Sequence, residues 1–180
     1  MPYKDNVELT KKVCDYAHNH KPYVTVEAEL GQVAGAEGTG LNNDGSVACV
    51  TDVEQAKDFI EKTLCNSLAI ACGTKHGAYK YSKNEPGRIR FDVLKKFSDQ
   101  LPDVPVVIHG SSAVPVNLIN QINSYGGSMG NAVGISDDEI QKAVSFTVCK
   151  INIDTDLRLA VTGSLRQFFF DNPGEFEPMS

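Results

Sequence analysis

The sequence predicts an α/β fold built on a parallel sheet. Two observations carry that reading. Helical and short apolar segments alternate in the order α-β-α-β-α-β-α-α-β-α, the pattern of crossover-connected parallel strands. Each apolar segment also runs directly into a polar stretch, and parallel folds carry their chemistry at the carboxyl ends of their strands. Length and composition agree. The chain has 180 residues, 41% apolar and 22% charged, as one domain over 1–180 with a substantial core requires.

The elements follow in order. Leu9, Val13, Tyr16 and Ala17 recur at helical spacing and predict a helix over 5–20, stopped by Lys21-Pro22. Residues 23–30 read as a strand, and the Gly-rich stretch 31–45 as a long loop. Thr51-x-x-Glu54 has the pattern of a capping box before a second helix marked by Val53, Ala56, Phe59 and Ile60. Leu68-Ala-Ile-Ala71 is a strand that enters Gly73-Thr-Lys-His-Gly77. A helix over 91–101 and a turn bracketed by Pro102 and Pro105 lead to the strand Val106-Val-Ile108, which enters His109-Gly-Ser-Ser112. Pro115 opens a helix to about 125, a loop covers 126–134, and Ser136-x-x-Glu139 is a second capping box. The last strand, 148–153, ends in Asn152-Ile-Asp-Thr-Asp156. The final helix runs to about Phe170 with Leu157, Val161, Leu165 and Phe168 on one face. Four strands form either an open sheet or half of an eight-stranded barrel.

Composition excludes several classes. Seventeen basic against 23 acidic residues leave a formal charge of −6, which argues against a nucleic-acid partner. No apolar run reaches the roughly 20 residues of a membrane helix, and the polar start Met1-Pro2-Tyr3-Lys4-Asp5 predicts no signal peptide and no membrane partner. The five cysteines form no C-x-x-C pair. Free thiols, with Cys72 and Cys149 in apolar runs as buried hydrophobes, fit a reducing, cytoplasmic location.

Three groups of strand-end residues carry candidate chemistry. His76 and His109 each follow an apolar strand and adjoin a glycine. Two such imidazoles on neighbouring parallel strands can share a metal, and the plainer alternative is a pair of hydrogen-bonded loop histidines. Glu27 and Glu29 lie two apart on a strand and share a face, where charges need a polar site or a partner. Glu37 rides the Gly-rich loop, either as a mobile base or as a solvated carboxylate. Gly110-Ser111-Ser112 and Asn152-Ile-Asp-Thr155 offer backbone N–H groups and hydroxyls to phosphate oxygens, or act as ordinary turn and cap residues. His18 and His20 read as solvated or dipole-compensating groups at a helix end.

Taken together, Val26-Glu-Ala-Glu-Leu-Gly31, Gly35-Ala-Glu37, Gly73-Thr-Lys-His-Gly-Ala-Tyr-Lys80, His109-Gly-Ser-Ser112 and Lys150-Ile-Asn-Ile-Asp-Thr-Asp156 closely resemble the class II, metal-dependent fructose-bisphosphate aldolases, in the branch that also holds tagatose-bisphosphate aldolases. The resemblance implies an eight-stranded β/α barrel of the TIM type, of which this chain matches strands 5–8. It implies His76 and His109 as ligands of a catalytic zinc, with Glu29 beside the metal. It implies Glu37 as the catalytic group handling the substrate proton. Gly110, Ser112, Asn152, Asp154 and Thr155 would hold the ketose and its phosphate. Gly77 would lie near that phosphate and a monovalent cation, Na+ or K+. The expected partner is a sugar bisphosphate, in a dimeric or tetrameric enzyme. The family's third histidine and its catalytic aspartate belong to an Asp-His-Gly segment that nothing here matches. The resemblance therefore implies a fragment of an aldolase, inactive by itself. The alternatives are a tagatose-bisphosphate aldolase, or a non-catalytic phosphate- or metal-binding half-barrel module.

Overall fold

The four-residue strand Glu27–Leu30 (β1) pairs in parallel with Ser67–Ile70 (β3), which pairs with Val106–Ile108 (β5), which pairs with Val148–Ile151 (β6). The order β1-β3-β5-β6 follows the chain, so each strand lies beside the one that precedes it in the sheet. This computed structural model describes residues 1–20, 23–35, 50–78, 89–130 and 132–178. Among the described residues six helices accompany the sheet: Tyr3–His18 (α1), Val53–Thr63 (α2), Phe91–Gln100 (α3), Val116–Ser124 (α4), Asp137–Val144 (α5) and Thr155–Asp171 (α6). The parallel α/β reading is thus met.

The sheet register sorts the side chains. Ala28, Leu30, Leu68, Ile70, Val106, Ile108 and Val148 join the main core with Phe59 of α2 and Phe97 of α3, both fully buried. Glu27 and Glu29 alternate with Ala28 and Leu30 and so take the opposite face. A smaller cluster, Val114, Ile119, Ile122 and Leu159, joins α4 to α6. There Gly163 is buried, and a Cβ on it would stand 2.8 Å from Gln121 Oε1. The capping box at Ser136 is present: its hydroxyl accepts from the Glu139 N–H, and the Glu139 carboxylate accepts from the Ser136 N–H.

Several expectations are corrected. Thr51 caps nothing; Asp52 is the N-cap of α2 and accepts from the Gln55 N–H. Thr51 is instead buried between strands, where its hydroxyl donates to the Leu30 carbonyl and accepts from the Ala71 N–H at 2.8 Å. Residues 23–26 do not join the ladder, because β3 starts only at Ser67. The Asn66 side chain ties them down, accepting from the Val26 N–H and donating to the Tyr23 hydroxyl. The same amide oxygen lies 2.8 Å from His18 Nε2, so His18 is a packed residue, stacked on Tyr23. A second, two-stranded sheet pairs Ala34–Gly35 (β2) with Lys75–His76 (β4), a pairing too short to leave a periodic signal.

The apolar faces of the outer helices are also corrected. Leu9, Val13 and Tyr16 of α1 are exposed, and Cys14 and Ala17 are the buried pair. Leu157 and Val161 of α6 are exposed, and Leu159 and Gly163 are buried. α6 is apolar around much of its circumference, so period alone selects no single face. Cys149 is exposed on the outer strand β6, whereas Cys72 is fully buried as expected. Among the described residues, Cys14, Cys65, Cys72 and Cys149 are free thiols, and no helix is long and apolar enough to cross a membrane.

Two outcomes follow from this core. Thr51→Val removes both hydroxyl bonds between the strands and lowers unfolding free energy by about 1–3 kcal/mol in urea titrations; an unchanged midpoint would show that the bonds contribute nothing. Burial pushes the Cys72 thiol from 9.0 up to about 11. The folded chain therefore keeps a proton that the unfolded chain releases, so stability falls as pH rises through this window. Between pH 8 and pH 10 the thiol accounts for a loss of about 1 kcal/mol, which Cys72→Ala removes from the measured pH dependence.

Candidate active site

All four strands of the main sheet point the same way, so the segments that follow them leave on one side. The row Leu30, Ile70, Ile108 and Ile151 is in register across the sheet. Just beyond it His109 follows β5, Asn152 follows β6, and β4 ends in His76. A cleft of about 480 Å³ opens there, lined by His76, Gly77, His109, Gly110, Ser112, Asn152, Asp154 and Thr155, with Ile151 and Ile153. Eight residues chosen from three separate stretches of sequence thus share one cavity.

Two turns hold this mouth open. Gly110 has φ +65°, and a Cβ on it would stand 2.7 Å from the Lys75 carbonyl oxygen. Any other side chain would push β5 away from the short strand that carries His76. On the other side, the Asp156 carboxylate accepts from the N–H groups of Ala113 and Val114, both at 2.8 Å. That clamp holds Val114 at φ 53° and fixes the loop after Ser112 against the start of α6. Ser112 is buried, and its hydroxyl accepts from the Asp154 N–H at 3.3 Å. The Asn152 N–H donates to the Ile108 carbonyl at 2.9 Å, carrying the strand pairing one residue past β6.

The histidines come together. The His76 and His109 rings meet edge-on with centroids 6.3 Å apart. Glu29 Oε1 lies 3.7 Å from His109 Nδ1, and Glu27 Oε1 lies 3.4 Å from His109 Nε2. Two imidazoles and a carboxylate are the donor types of a zinc site, and in that chemistry the residues fit the metal. Among the described residues no three His, Cys, Asp or Glu side chains enclose an ion as placed. The fit therefore lies in donor type.

The phosphate side has a different character. The first residues of α6, Thr155 with Asp154 before it, line the cleft. The positive dipole end of a 17-residue helix thereby lies at it. The Asp154 carboxylate itself turns to Arg158, with Nε at 2.7 Å.

Glu37 lies outside the described residues, as do Tyr79 and Lys80. Sequence reasoning passed over Asp156 and Lys150 as site residues. It grouped Glu27 with Glu29 but took only Glu29 further. The shared strand face was the available signal for Glu27. For Asp156 it was the acidic side chain in the first turn of α6, and for Lys150 a charge within an apolar strand.

Comparison with known proteins places this architecture. The family described as fructose-bisphosphate aldolase class-II matches residues 1–180. A fructose-bisphosphate aldolase of Treponema pallidum is 39% identical, with the match covering 99% of this chain and 56% of that protein. The Giardia intestinalis protein of that name is 43% identical over 98% of this chain and 53% of its own length. The Thermus caldophilus one is 44% identical over 98% and 56%. Among solved structures, the YdjI aldolase of Escherichia coli K12 superposes with a TM-score of 0.61 at 30% identity, over 93% of this chain and 46% of that one. Fructose-bisphosphate aldolase from Campylobacter jejuni, at 21% identity and a TM-score of 0.56, shares the fold. The chain spans about half the length of the curated relatives it matches, and its sheet is part of a β/α barrel of the TIM type. On a family match that runs from the first residue to the last, the chain belongs to the class II fructose-bisphosphate aldolases.

Proposed function

We propose that this chain supplies the metal- and phosphate-binding half of a zinc-dependent aldolase. That enzyme would cleave fructose 1,6-bisphosphate reversibly to glycerone phosphate and glyceraldehyde 3-phosphate. The observation that carries the proposal is the cleft, which gathers His76, His109, Ser112, Asn152 and the start of α6 at one end of the sheet. A sugar bisphosphate needs an anion site and a polarising site within one molecule's length, and this cleft offers both.

The roles follow from position. His76 and His109 would hold the zinc, with Glu29 beside it. Bound there, zinc would act as a Lewis acid toward the ketose oxygens. Gly77, Gly110, Ser112, Asn152, Asp154 and Thr155 would hold the ketose and one phosphate, with a monovalent cation near Gly77. Backbone N–H groups at the α6 start favour the phosphate charge, and the Asp156 clamp keeps them in place. The buried Ser112 fixes the substrate's register relative to the histidines. Glu37 would return a proton to the carbon exposed by C–C cleavage. The aspartate that takes the hydroxyl proton for cleavage, and the third histidine, belong to the Asp-His-Gly segment that has no counterpart in this sequence. We place the activity in the cytoplasm, in sugar breakdown and synthesis, in a homo-oligomer whose unit includes residues 1–180 as one domain.

The test is an aldol-cleavage assay with zinc, repeated with chelator. The 180-residue chain alone shows no chelator-sensitive turnover. Residues 1–180 exchanged into the matching half of a full-length relative restore it. His109→Ala in that chimera lowers kcat/KM by about 10³-fold, or about 4 kcal/mol of transition-state stabilisation. A folded chimera without turnover, or one indifferent to His109→Ala, would overturn the proposal.

A further inference from the structure

The two ring nitrogens of His109 face two different carboxylates, and among the described residues one of them, Glu27, is held by a lysine. Glu27 Oε1 lies 3.4 Å from Nε2, while Glu27 Oε2 takes a 2.7 Å ion pair from Lys150 Nζ. Glu29 lies 3.7 Å from Nδ1 and is the more open of the two, with its side chain 46% exposed against 26% for Glu27. We propose that Glu27, held by Lys150, is a positioning residue. It accepts the Nε2–H of His109 and thereby turns the Nδ1 lone pair toward the cleft. The inference rests on the reading of His109 as a metal ligand, and adds how that ligand is oriented.

The physical argument begins with the tautomer. A neutral imidazole carries one N–H and one lone pair, so a carboxylate that accepts from one nitrogen leaves the other to bind a cation. A carboxylate left loose would serve either nitrogen. The Lys150 ammonium removes that freedom by fixing one oxygen of Glu27 and offsetting its charge.

The pair also spans the sheet. Glu27 stands on β1 and Lys150 on β6, the two outer strands, 123 residues apart. In the register the middle strands place only Ala69 and Val107 between Glu29 and Lys150, and both are buried, at 1% and 0% exposure. Small and compact residues there leave room for two long charged side chains to meet above them. Outer strands of a flat four-stranded sheet stand about 14 Å apart. The contact therefore reports a sheet curled toward this face. Curl brings the pair together, and the pair in turn holds the tautomer.

The experiment compares cobalt(II) binding, by competition with a chromophoric chelator, in the native chain and in Glu27→Ala, Lys150→Met and Lys150→Arg, with urea stability measured alongside. Glu27→Ala and Lys150→Met weaken cobalt binding about 10- to 100-fold, and Lys150→Arg restores it to within about threefold of native. Unchanged affinity accompanied by lowered stability would reduce the pair to a strut and overturn the inference. If His109→Ala also leaves cobalt binding unchanged, the metal reading has failed, and imidazole nitrogen NMR of the metal-free chain decides. An Nε2–H tautomer at His109 that becomes mixed in Glu27→Ala upholds the positioning role. A tautomer unaffected by Glu27→Ala overturns it.

Discussion

Parallel hydrogen bonding in a single register is the constraint from which the rest of this structure follows. Leu30, Ile70, Ile108 and Ile151 share one row, so the polypeptide leaves every strand at the same level and on the same side. Parallel strands require crossovers, and the crossovers here are the helices that cover one face with Phe59, Phe97 and Leu94. The other face is freed for polar groups. A slip of one residue in β1 would send Glu27 and Glu29 into the apolar layer and Ala28 and Leu30 out of it, so burial enforces the register strongly.

Within that frame the site is built by close approach more than by attraction. Gly110 lets β5 lie against the Lys75 backbone, and this brings the His76 and His109 rings within 6.3 Å. Asp156 replaces the missing strand pairing beyond β5 with two N–H bonds. Charged groups at the mouth sit where opposite charges or dipoles meet them: Glu27 with Lys150, Asp154 with Arg158, and the cleft itself with the start of α6. The exposed apolar residues follow the same geometry. α1 packs on α2 and α6 on α4, and Leu9, Val13, Leu157 and Val161 lie on the sides those partners leave uncovered.

Much was legible in the amino-acid order because it depends on neighbours along the chain. Helical period located α1, α2, α3 and α6, Pro115 and the Ser136–Glu139 pair marked the starts of α4 and α5, and apolar runs marked β3 and β5. His76, His109 and the Asn152–Thr155 stretch stood out because each follows such a run. The sequence by itself therefore determined the fold class, the strand ends and the chemical types gathered there. Tertiary structure decided what depends on distance through space. It turned Thr51 from a presumed cap into a tie between strands, chose which faces of α1 and α6 are buried, left Cys149 exposed on an outer strand, and joined Glu27 to Lys150 across 123 residues. The reason is physical. Periodicity and capping are set by contacts a few residues apart, whereas partner choice among buried polar groups is set by sheet register and curl, which exist only once the strands have paired.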